Sequence, residues 1–243
     1  MSRKSVPRFN RAGDAAALMV GLGLGLTISL EIISFTAADL QKTSGLITIA
    51  SRFAALIGTY LVLVGLLLVA RIPWVERSVG HDRMVTWHRK LGPWSLYLIL
   101  LHVILVVLGY SKNDRIPMYK EFWNLVTTYS WMLPALVGFI LMIAAGVTSY
   151  RKARAKMAYE TWWIIHLYTY LAIALSFMHQ VLNGVMFISH PLAKKWWIAM
   201  YIFVGGSMVL WRLLLPLLRS LIHGLVVEKV VVEGPGVVSV HIR

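Results

Sequence analysis

Four histidines lie in or beside strongly apolar segments, where a polar side chain is expensive to retain. His88 and His102 are 14 residues apart in the stretch WHRKLGPWSLYLILLH, and His166 and His179 are 13 residues apart in a second apolar stretch. Neutral imidazole is a common metal ligand, and haem iron is among the metals it binds. The two pairs therefore predict either two metal centres or a relay for protons.

The spacing within each pair is compatible with a helix that crosses a membrane. Fourteen residues of α-helix rise about 21 Å and complete nearly four turns, so His88 and His102 share one face to within about 40°. Thirteen residues place His166 and His179 about 140° apart on an ideal helix. A tilt, a local bulge or a different approach of the ring has to close that gap.

Six apolar runs approach the roughly 20 residues that a spanning helix needs. They cover approximately residues 15–37, 46–70, 92–110, 131–149, 161–181 and 196–218. Basic residues concentrate in the tail 1–13 and after the second and fourth runs, which predicts that both termini are cytoplasmic. His88 and His166 then share one depth near the cytoplasm, and His102 and His179 share another near the outer side.

The composition agrees with a bilayer as solvent. The 243 residues are 58% hydrophobic and 14% charged, with a mean hydropathy of +0.71, whereas soluble domains are roughly 45–50% apolar and about 25% charged. The net charge of +14 is explained by basic loops beside a membrane, so nucleic acid is not an expected partner. We expect an all-α integral membrane protein of six transmembrane helices, in a bacterial cytoplasmic membrane.

The matched depths of the four histidines favour two metal centres over a proton relay. Two histidines from two helices at one depth, repeated at a second depth, form two bis-imidazole sites stacked across the membrane. A proton relay remains the competitor, but the apolar runs lack the chain of carboxylates that a pump needs. The sequence also places Gly92 and Pro93 at the entrance of the third helix, and Tyr97 either between the histidines or in the core. Candidate hydrogen-bond partners for the imidazoles are Ser95, Thr169 and Ser176.

The amino-acid sequence around the histidines resembles that of a known family. RIPWVERSVGHDRMVTWHRKLG leading into His102, and YETWWIIHLYTYLAIALSFMH, are similar to the ferric-reductase-like transmembrane domain that ferric reductases and NADPH oxidases share. The resemblance covers approximately residues 14–220. It implies a six-helix bundle that binds two stacked b-type haems, with His88 and His166 on the inner haem iron and His102 and His179 on the outer one.

Arg52 carries a second resemblance. It lies 19 residues before Arg71, a spacing similar to that of the oxidases' arginine beside the outer haem, which implies cofactor binding through a haem propionate. Glu31, at a similar depth in the first helix, is an alternative partner, and both contacts are compatible. Two features are absent: Val106 lies where oxygen-reducing members carry a further histidine, and Ala172 and Ile173 lie near the position where some oxidases carry an aromatic residue between the haems.

The C-terminal residues differ from the rest of the chain in composition. Residues 224–243, GLVVEKVVVEGPGVVSVHIR, are rich in valine and contain a Gly-Pro-Gly turn, which predicts one or two β-strands. They resemble the opening strands of a cytoplasmic FAD-binding barrel of the ferredoxin-reductase type. No dinucleotide signature is present. The resemblance implies either a chain truncated at the start of that domain or electrons supplied by a separate protein, so FAD and NAD(P)H are expected in a following or partner domain.

These observations predict a membrane oxidoreductase of the ferric reductase or NADPH oxidase type, which is incomplete without a flavin/NAD(P)H dehydrogenase domain in cis or in trans. Electrons would cross the lipid bilayer through two haem b groups to a small acceptor outside, either ferric iron or oxygen. The alternative is a haem-carrying membrane subunit that passes electrons to a separate extracytoplasmic partner enzyme.

Overall fold

The chain folds into a helical bundle followed by a β-hairpin. The computed structural model describes residues 11–224 and 226–243, so most of the predicted basic tail 1–13 lies outside the described residues. The helices and strands are α1 (Arg11–Ile32), α2 (Ala37–Gln41), α3 (Thr43–Val69), α4 (Pro73–Val79), α5 (His81–Asp114), α6 (Met118–Thr128), α7 (Met132–Ser149), α8 (Arg151–Arg154), α9 (Tyr159–Asn183), α10 (Val185–Ser189), α11 (Pro191–Ser207), α12 (Leu215–His223), β1 (Val227–Gly234) and β2 (Val237–Ile242).

Six helical segments are long and apolar enough to cross a membrane. They are Gly13–Ile32, Thr43–Val69, His81–Asp114, Met132–Ser149, Tyr159–Asn183 and Pro191–His223. The prediction of an all-α membrane fold with six spanning helices and a short β-rich tail is therefore confirmed.

The predicted C-terminal boundary of the first span, near residue 37, is wrong. α1 stops at Ile32, and the chain turns before α2 begins. Thr36 and Asp39 form a reciprocal cap there, since the Asp39 amide donates to Thr36 Oγ1 at 3.2 Å and the Thr36 amide donates to Asp39 Oδ2 at 3.1 Å. The Thr36 side-chain hydrogen bond also lowers the pKa of the Asp39 carboxyl from its ordinary value. This cap starts a new helix where hydropathy alone suggested a continuous one.

The third span begins earlier than predicted. α5 starts at His81 rather than near residue 92, so Gly92 and Pro93 lie inside the helix and not at its entrance. Proline removes one backbone donor and disturbs the carbonyl four residues earlier, and a long, packed membrane helix tolerates this loss. Hydropathy marked only the apolar part of α5. The polar turns that carry His88 belong to the same helix.

Two antiparallel helix pairs form the centre of the bundle. α3 packs along α5, and α7 packs along α9. α1 covers α3, where the Tyr60 hydroxyl donates to the Val20 carbonyl at 2.7 Å. α5 packs closely along α3, and α9 packs closely along α7. Among the described residues, α5 and α9 therefore approach each other mainly through side chains. His88 of α5 lies beside His166 of α9, and both helices line the cavity that contains His102 and His179; we call the space between α5 and α9 the slot.

The final span contains a widened turn. After Ser207 the helix is π-helical over Met208–Leu214 and returns to α-helical geometry at α12. Pro216 explains the change, because it has no amide hydrogen to donate to the carbonyl four residues before it. In the widened segment Arg212 Nη1 donates to the carbonyl of Val69 at 2.8 Å, which ties this span to the end of α3.

The tail forms an antiparallel hairpin, as predicted. β1 pairs with β2 in a register that joins Val227 to Ile242 and Val230 to Val240, and Gly236 takes a positive φ of 78° in the turn. Valines on both faces of the hairpin are exposed. An isolated two-stranded sheet is marginal in water, so these exposed valines suit a larger sheet.

The close approach of α7 to α9 gives a test of the packing. A Cβ atom added to Gly138 would lie 2.7 Å from the Ala172 carbonyl oxygen, whereas one added to Gly205 meets nothing within 4 Å among the described residues. Gly138→Val should destabilise the protein by about 1–3 kcal/mol through overpacking. Gly205→Val, the matched control in another spanning helix, should have little effect. Unfolding in mixed detergent micelles, followed by circular dichroism, measures both variants, and equal losses would contradict the packing.

Candidate cofactor site between two helices

The structure brings His88 of α5 and His166 of α9 together. Their ring centroids are 6.1 Å apart and the ring planes are inclined by 79°. Two metal–imidazole bonds of about 2 Å each, together with the distance from each ring centre to its outer nitrogen, account for this separation. The separation of the rings is therefore compatible with one metal ion between them, and we call this pair the His88 level.

Contacts with α3 fix the tautomer of His88. The Nδ1–H of His88 donates to the carbonyl oxygen of Gly65 at 3.0 Å. A carbonyl can only accept a hydrogen bond, so Nδ1 carries the proton and Nε2 presents a lone pair. Histidines that bind metal ions almost always donate their other nitrogen in this way, because the contact fixes the ring and raises its basicity.

His102 is held by α3 in the same manner. Its Nδ1 lies 3.1 Å from the Ser51 carbonyl oxygen and 2.9 Å from the Ser51 hydroxyl, while that hydroxyl donates to the His102 carbonyl at 3.1 Å. Ser51 and Gly65 are 14 residues apart in α3, as are His88 and His102 in the antiparallel α5. The same spacing on two paired helices anchors both imidazoles to equivalent points on the backbone of α3.

On the opposite side, α7 and a tryptophan position His166. The Ser149 hydroxyl lies 3.3 Å from His166 Nδ1 and accepts a hydrogen bond from Trp162 Nε1 at 3.1 Å. The Trp162 ring stacks on the imidazole, with centroids 5.1 Å apart and planes inclined by 25°, and the Arg154 guanidinium carbon lies 4.7 Å from the centre of the Trp162 ring. The orientation of His166 thus depends on a polar and an aromatic contact together.

His102 and His179 line one cavity of about 260 Å³, and we call this pair the His102 level. The cavity lies among α3, α5, α7 and α9, and its wall is mainly apolar, with Val106 and Ala172 among the lining residues. His179 Nδ1 is buried and has no hydrogen-bond partner among the described residues. α9 is α-helical from Tyr159 to Asn183. A bulge therefore does not reconcile the 13-residue spacing, which leaves tilt or a different approach of the ring.

The hydroxyl groups of the three residues predicted as hydrogen-bond partners of the imidazoles have other partners. The hydroxyls of Ser95, Thr169 and Ser176 each donate to a carbonyl three residues earlier in their own helix. The observed partners are Gly65, Ser51 and Ser149, which lie on neighbouring helices and carry no local signal in the sequence. Only the register between the paired helices reveals them.

The expectation for Tyr97 is also wrong, both between the histidines and in the core. Its side chain is 61% exposed and makes an edge contact with Trp94. Nine residues turn a helix by two and a half turns, so Tyr97 points away from the face that carries His88.

Arg52 pairs with Glu31, as the alternative prediction proposed. Arg52 Nε lies 2.8 Å from Glu31 Oε1, and the two side chains are 15% and 1% exposed. Both residues line the cavity of the His102 level. Arg52 Nη2 is buried and has no hydrogen-bond partner within the described residues. This nitrogen is a free donor for an anionic group in the cavity.

The donor set suits haem iron better than a bare metal ion. No group of three or more His, Cys, Asp or Glu side chains that could hold a metal comes together in residues 11–224 and 226–243. A pair of imidazoles alone suits an iron whose other four ligands come from a macrocycle. Both levels present such a pair in a slot between apolar helices, so the residues present fit this group.

Comparisons with known proteins agree with this geometry. A family model described as "Ferric reductase like transmembrane component" matches residues 54–177, which is half of the chain. The matched region includes His88, His102 and His166, and ends two residues before His179. No solved structure matches.

Two relatives show the extent of the similarity. An uncharacterised protein of Archaeoglobus fulgidus is 32% identical over 91 residues, which cover 36% of this chain and 50% of the relative. The protein-methionine-sulfoxide reductase heme-binding subunit MsrQ of Caulobacter vibrioides is 23% identical over 150 residues, which cover 57% of this chain and 68% of the relative. The chain thus spans half of the Archaeoglobus relative and two thirds of the Caulobacter one.

The buried ion pair provides a test of the second level. Arg52→Gln leaves the Glu31 carboxylate buried without its partner, and such a change typically destabilises by about 3–5 kcal/mol. The double variant Glu31→Gln/Arg52→Gln should recover much of that loss, because no uncompensated charge remains. Unfolding in mixed detergent micelles measures both.

The control for this test is Arg71→Gln. Arg71 forms an exposed pair with Glu76 at 3.3 Å, and exposed pairs contribute about 0–1 kcal/mol. If Arg52→Gln and the double variant unfolded at the same point, the buried pair would not have the role described.

Proposed function

This chain belongs to the family of ferric reductase like transmembrane components, and on that premise we propose that it carries electrons across a membrane through two haem b groups. The observation that carries the proposal is the pair of levels in the slot between α5 and α9. Each level offers one imidazole from either helix, and three of the four rings have Nδ1 engaged by a neighbouring helix. The engaged Nδ1 leaves Nε2 for a metal.

The proposed ligands are His88 and His166 for the inner haem iron and His102 and His179 for the outer one. Arg52 Nη2, which is buried at the His102 level without a partner, is the proposed contact for a haem propionate. When bound, the two haems would supply one-electron chemistry, since their iron alternates between the ferric and ferrous states.

The protein's own contribution is to orient the ligands and exclude water. The carbonyls of Gly65 and Ser51 hold the imidazoles of α5 in one tautomer. Ser149 and Trp162 restrain His166 from the side of α7. Apolar walls around the His102 level keep water from the bound group, which raises the strength of every charge interaction within it.

The proposed direction follows from the distribution of charge. The basic residues Arg71, Arg77, Arg83, Arg89, Lys90, Arg151, Lys152, Arg154 and Lys156 surround the end of the bundle nearest to His88 and His166. By the positive-inside rule this end faces the cytoplasm, together with both termini and the β1–β2 hairpin. A flavin/NAD(P)H dehydrogenase domain, in cis after the hairpin or in trans, is the proposed electron donor. Ferric iron or oxygen is the proposed acceptor on the other side.

A second candidate function is supported by the Caulobacter relative. That relative is a heme-binding subunit of protein-methionine-sulfoxide reductase, and the similarity covers 57% of this chain. Under this proposal the outer level passes electrons to a separate extracytoplasmic enzyme instead of a small acceptor. The two proposals share the haem ligands and differ only in what takes the electron.

The haem ligands can be tested by spectroscopy. The purified protein should contain two b-type haems per chain, measured by a reduced-minus-oxidised spectrum and by haem extraction. His88→Ala and His102→Ala should each remove about one haem, because an axial ligand is lost from one level in each case. His241→Ala, on the exposed hairpin, is the control. Unchanged haem content in both of these variants, and in His166→Ala and His179→Ala, would refute the assignment.

Electron transfer across the bilayer can be measured in proteoliposomes that contain ferricyanide. Dithionite added outside should bleach the trapped ferricyanide in vesicles with the wild-type protein and not in empty vesicles. Either His88→Ala or His102→Ala should slow the bleaching at least tenfold, since both levels are needed to span the membrane. Equal rates in wild-type and variant vesicles would contradict the proposed path.

The small acceptor can be identified in a separate assay. The reduced protein is mixed with ferric citrate or with oxygen, and the formation of ferrous iron or of superoxide is measured.

A further inference from the structure

A second cavity lies away from the slot, between the end of α3, helix α4 and the final span. Its volume is about 570 Å³. Most of the charged side chains that line it are arginines, and a tryptophan and a leucine form the apolar part of its wall. The lining residues include Arg71, Glu76, Arg77, Trp211, Leu215 and Arg219. None of the four ligand histidines lines it. We propose that this cavity binds the headgroup of an anionic phospholipid.

The cavity is formed by two unusual pieces of backbone. Arg71, just after α3, has a positive φ of 63°, a conformation that non-glycine residues seldom adopt. On the other wall, the π-helical segment Met208–Leu214 widens the final span next to Trp211 and Leu215. The hydrogen bond from Arg212 to the Val69 carbonyl holds the two walls together. A π-helical turn and a strained residue are features that recur at functional sites.

The charges in the cavity are not balanced by the protein. Glu76 is the one acidic residue among the lining residues. Its Oε1 atom is shared by Arg71 at 3.3 Å and His81 at 3.5 Å. Within the described residues, Arg77 and Arg219 form no ion pair with a carboxylate. Three arginines against one glutamate leave an excess of two positive charges, which an anion can compensate.

The chemistry of the wall favours a phosphodiester. Guanidinium groups bind phosphate oxygens through two parallel hydrogen bonds, so a cluster of arginines matches this anion in geometry as well as in charge. Basic pockets between transmembrane helices at the cytoplasmic boundary are typical binding sites for anionic lipid headgroups. Trp211 provides the amphipathic ring that is common at the same depth of a bilayer.

The surface next to the cavity favours a lipid over a soluble phosphate. On the bilayer side of the cavity the final span presents exposed apolar side chains, and Phe203, Val209 and Leu213 are 59%, 48% and 63% exposed. These side chains offer an apolar surface for acyl chains whose headgroup lies among the arginines. A free phosphate ion would use the guanidinium groups but gain nothing from that surface.

The test uses the intact protein, stripped of lipid in a neutral detergent. Native mass spectrometry counts retained lipids, and a thermal melt records the unfolding midpoint. Phosphatidylglycerol should be retained and should raise the midpoint, whereas phosphatidylcholine, which has no net charge, should do so far less. Inorganic phosphate is the third arm. A rise with inorganic phosphate equal to that with phosphatidylglycerol would overturn the lipid assignment.

Variants of the cavity complete the experiment. Arg77→Gln/Arg219→Gln should weaken retention of phosphatidylglycerol at least tenfold. The matched control Arg83→Gln/Arg151→Gln removes the same charge from exposed positions outside the cavity and should retain the lipid as the wild type does. Unliganded midpoints within a few degrees of wild type confirm that the variants fold. Wild-type retention in the cavity variant, or equal loss in the control, would overturn the proposal.

Discussion

A polar group within a bilayer has to find its partner inside the protein, and this constraint organises the whole bundle. His88 and His102 reach carbonyls of α3. Arg52 reaches Glu31. Smaller groups obey the same rule, since the buried Thr27 hydroxyl donates to the Gly23 carbonyl of its own helix at 2.8 Å and accepts from Trp196 Nε1 at 3.1 Å. Each of these contacts fixes one helix relative to another or removes a donor from the lipid.

The helix that satisfies most of these groups is α3. It supplies Gly65 and Ser51 to the imidazoles of α5 and, one residue after Ser51, Arg52 to the carboxylate of α1. Ser51 is fully buried, and α3 contributes more buried residues than any other helix of the described chain. A helix that carries none of the four proposed ligand histidines thus sets the positions of two of them. The sides of α5 and α9 that face each other, which carry the proposed ligands, are then free to border the slot.

The sequence was sufficient for features that depend on one helix at a time. Hydropathy located six spans, and the spacing and direction of the helices matched His88 with His166. Depth in the membrane also indicated Glu31 as one of two candidate partners of Arg52, the other being a haem propionate. The hydrogen-bond partners of the histidines could not be predicted, because they depend on the register between helices. The position of Tyr97 was predictable in principle, since its angle to His88 follows from helix geometry alone.

The two levels of the slot place similar histidine pairs in different surroundings. The His88 level borders polar loops, and His166 there stacks on Trp162 beneath the positive charge of Arg154. At the His102 level, the charge of Arg52 is balanced by Glu31, and the neighbouring walls are mainly apolar. Burial in apolar surroundings and a nearby cation are distinct ways of tuning a bound redox group. The residues beside the histidines, and not the histidines themselves, therefore make the two levels chemically distinct.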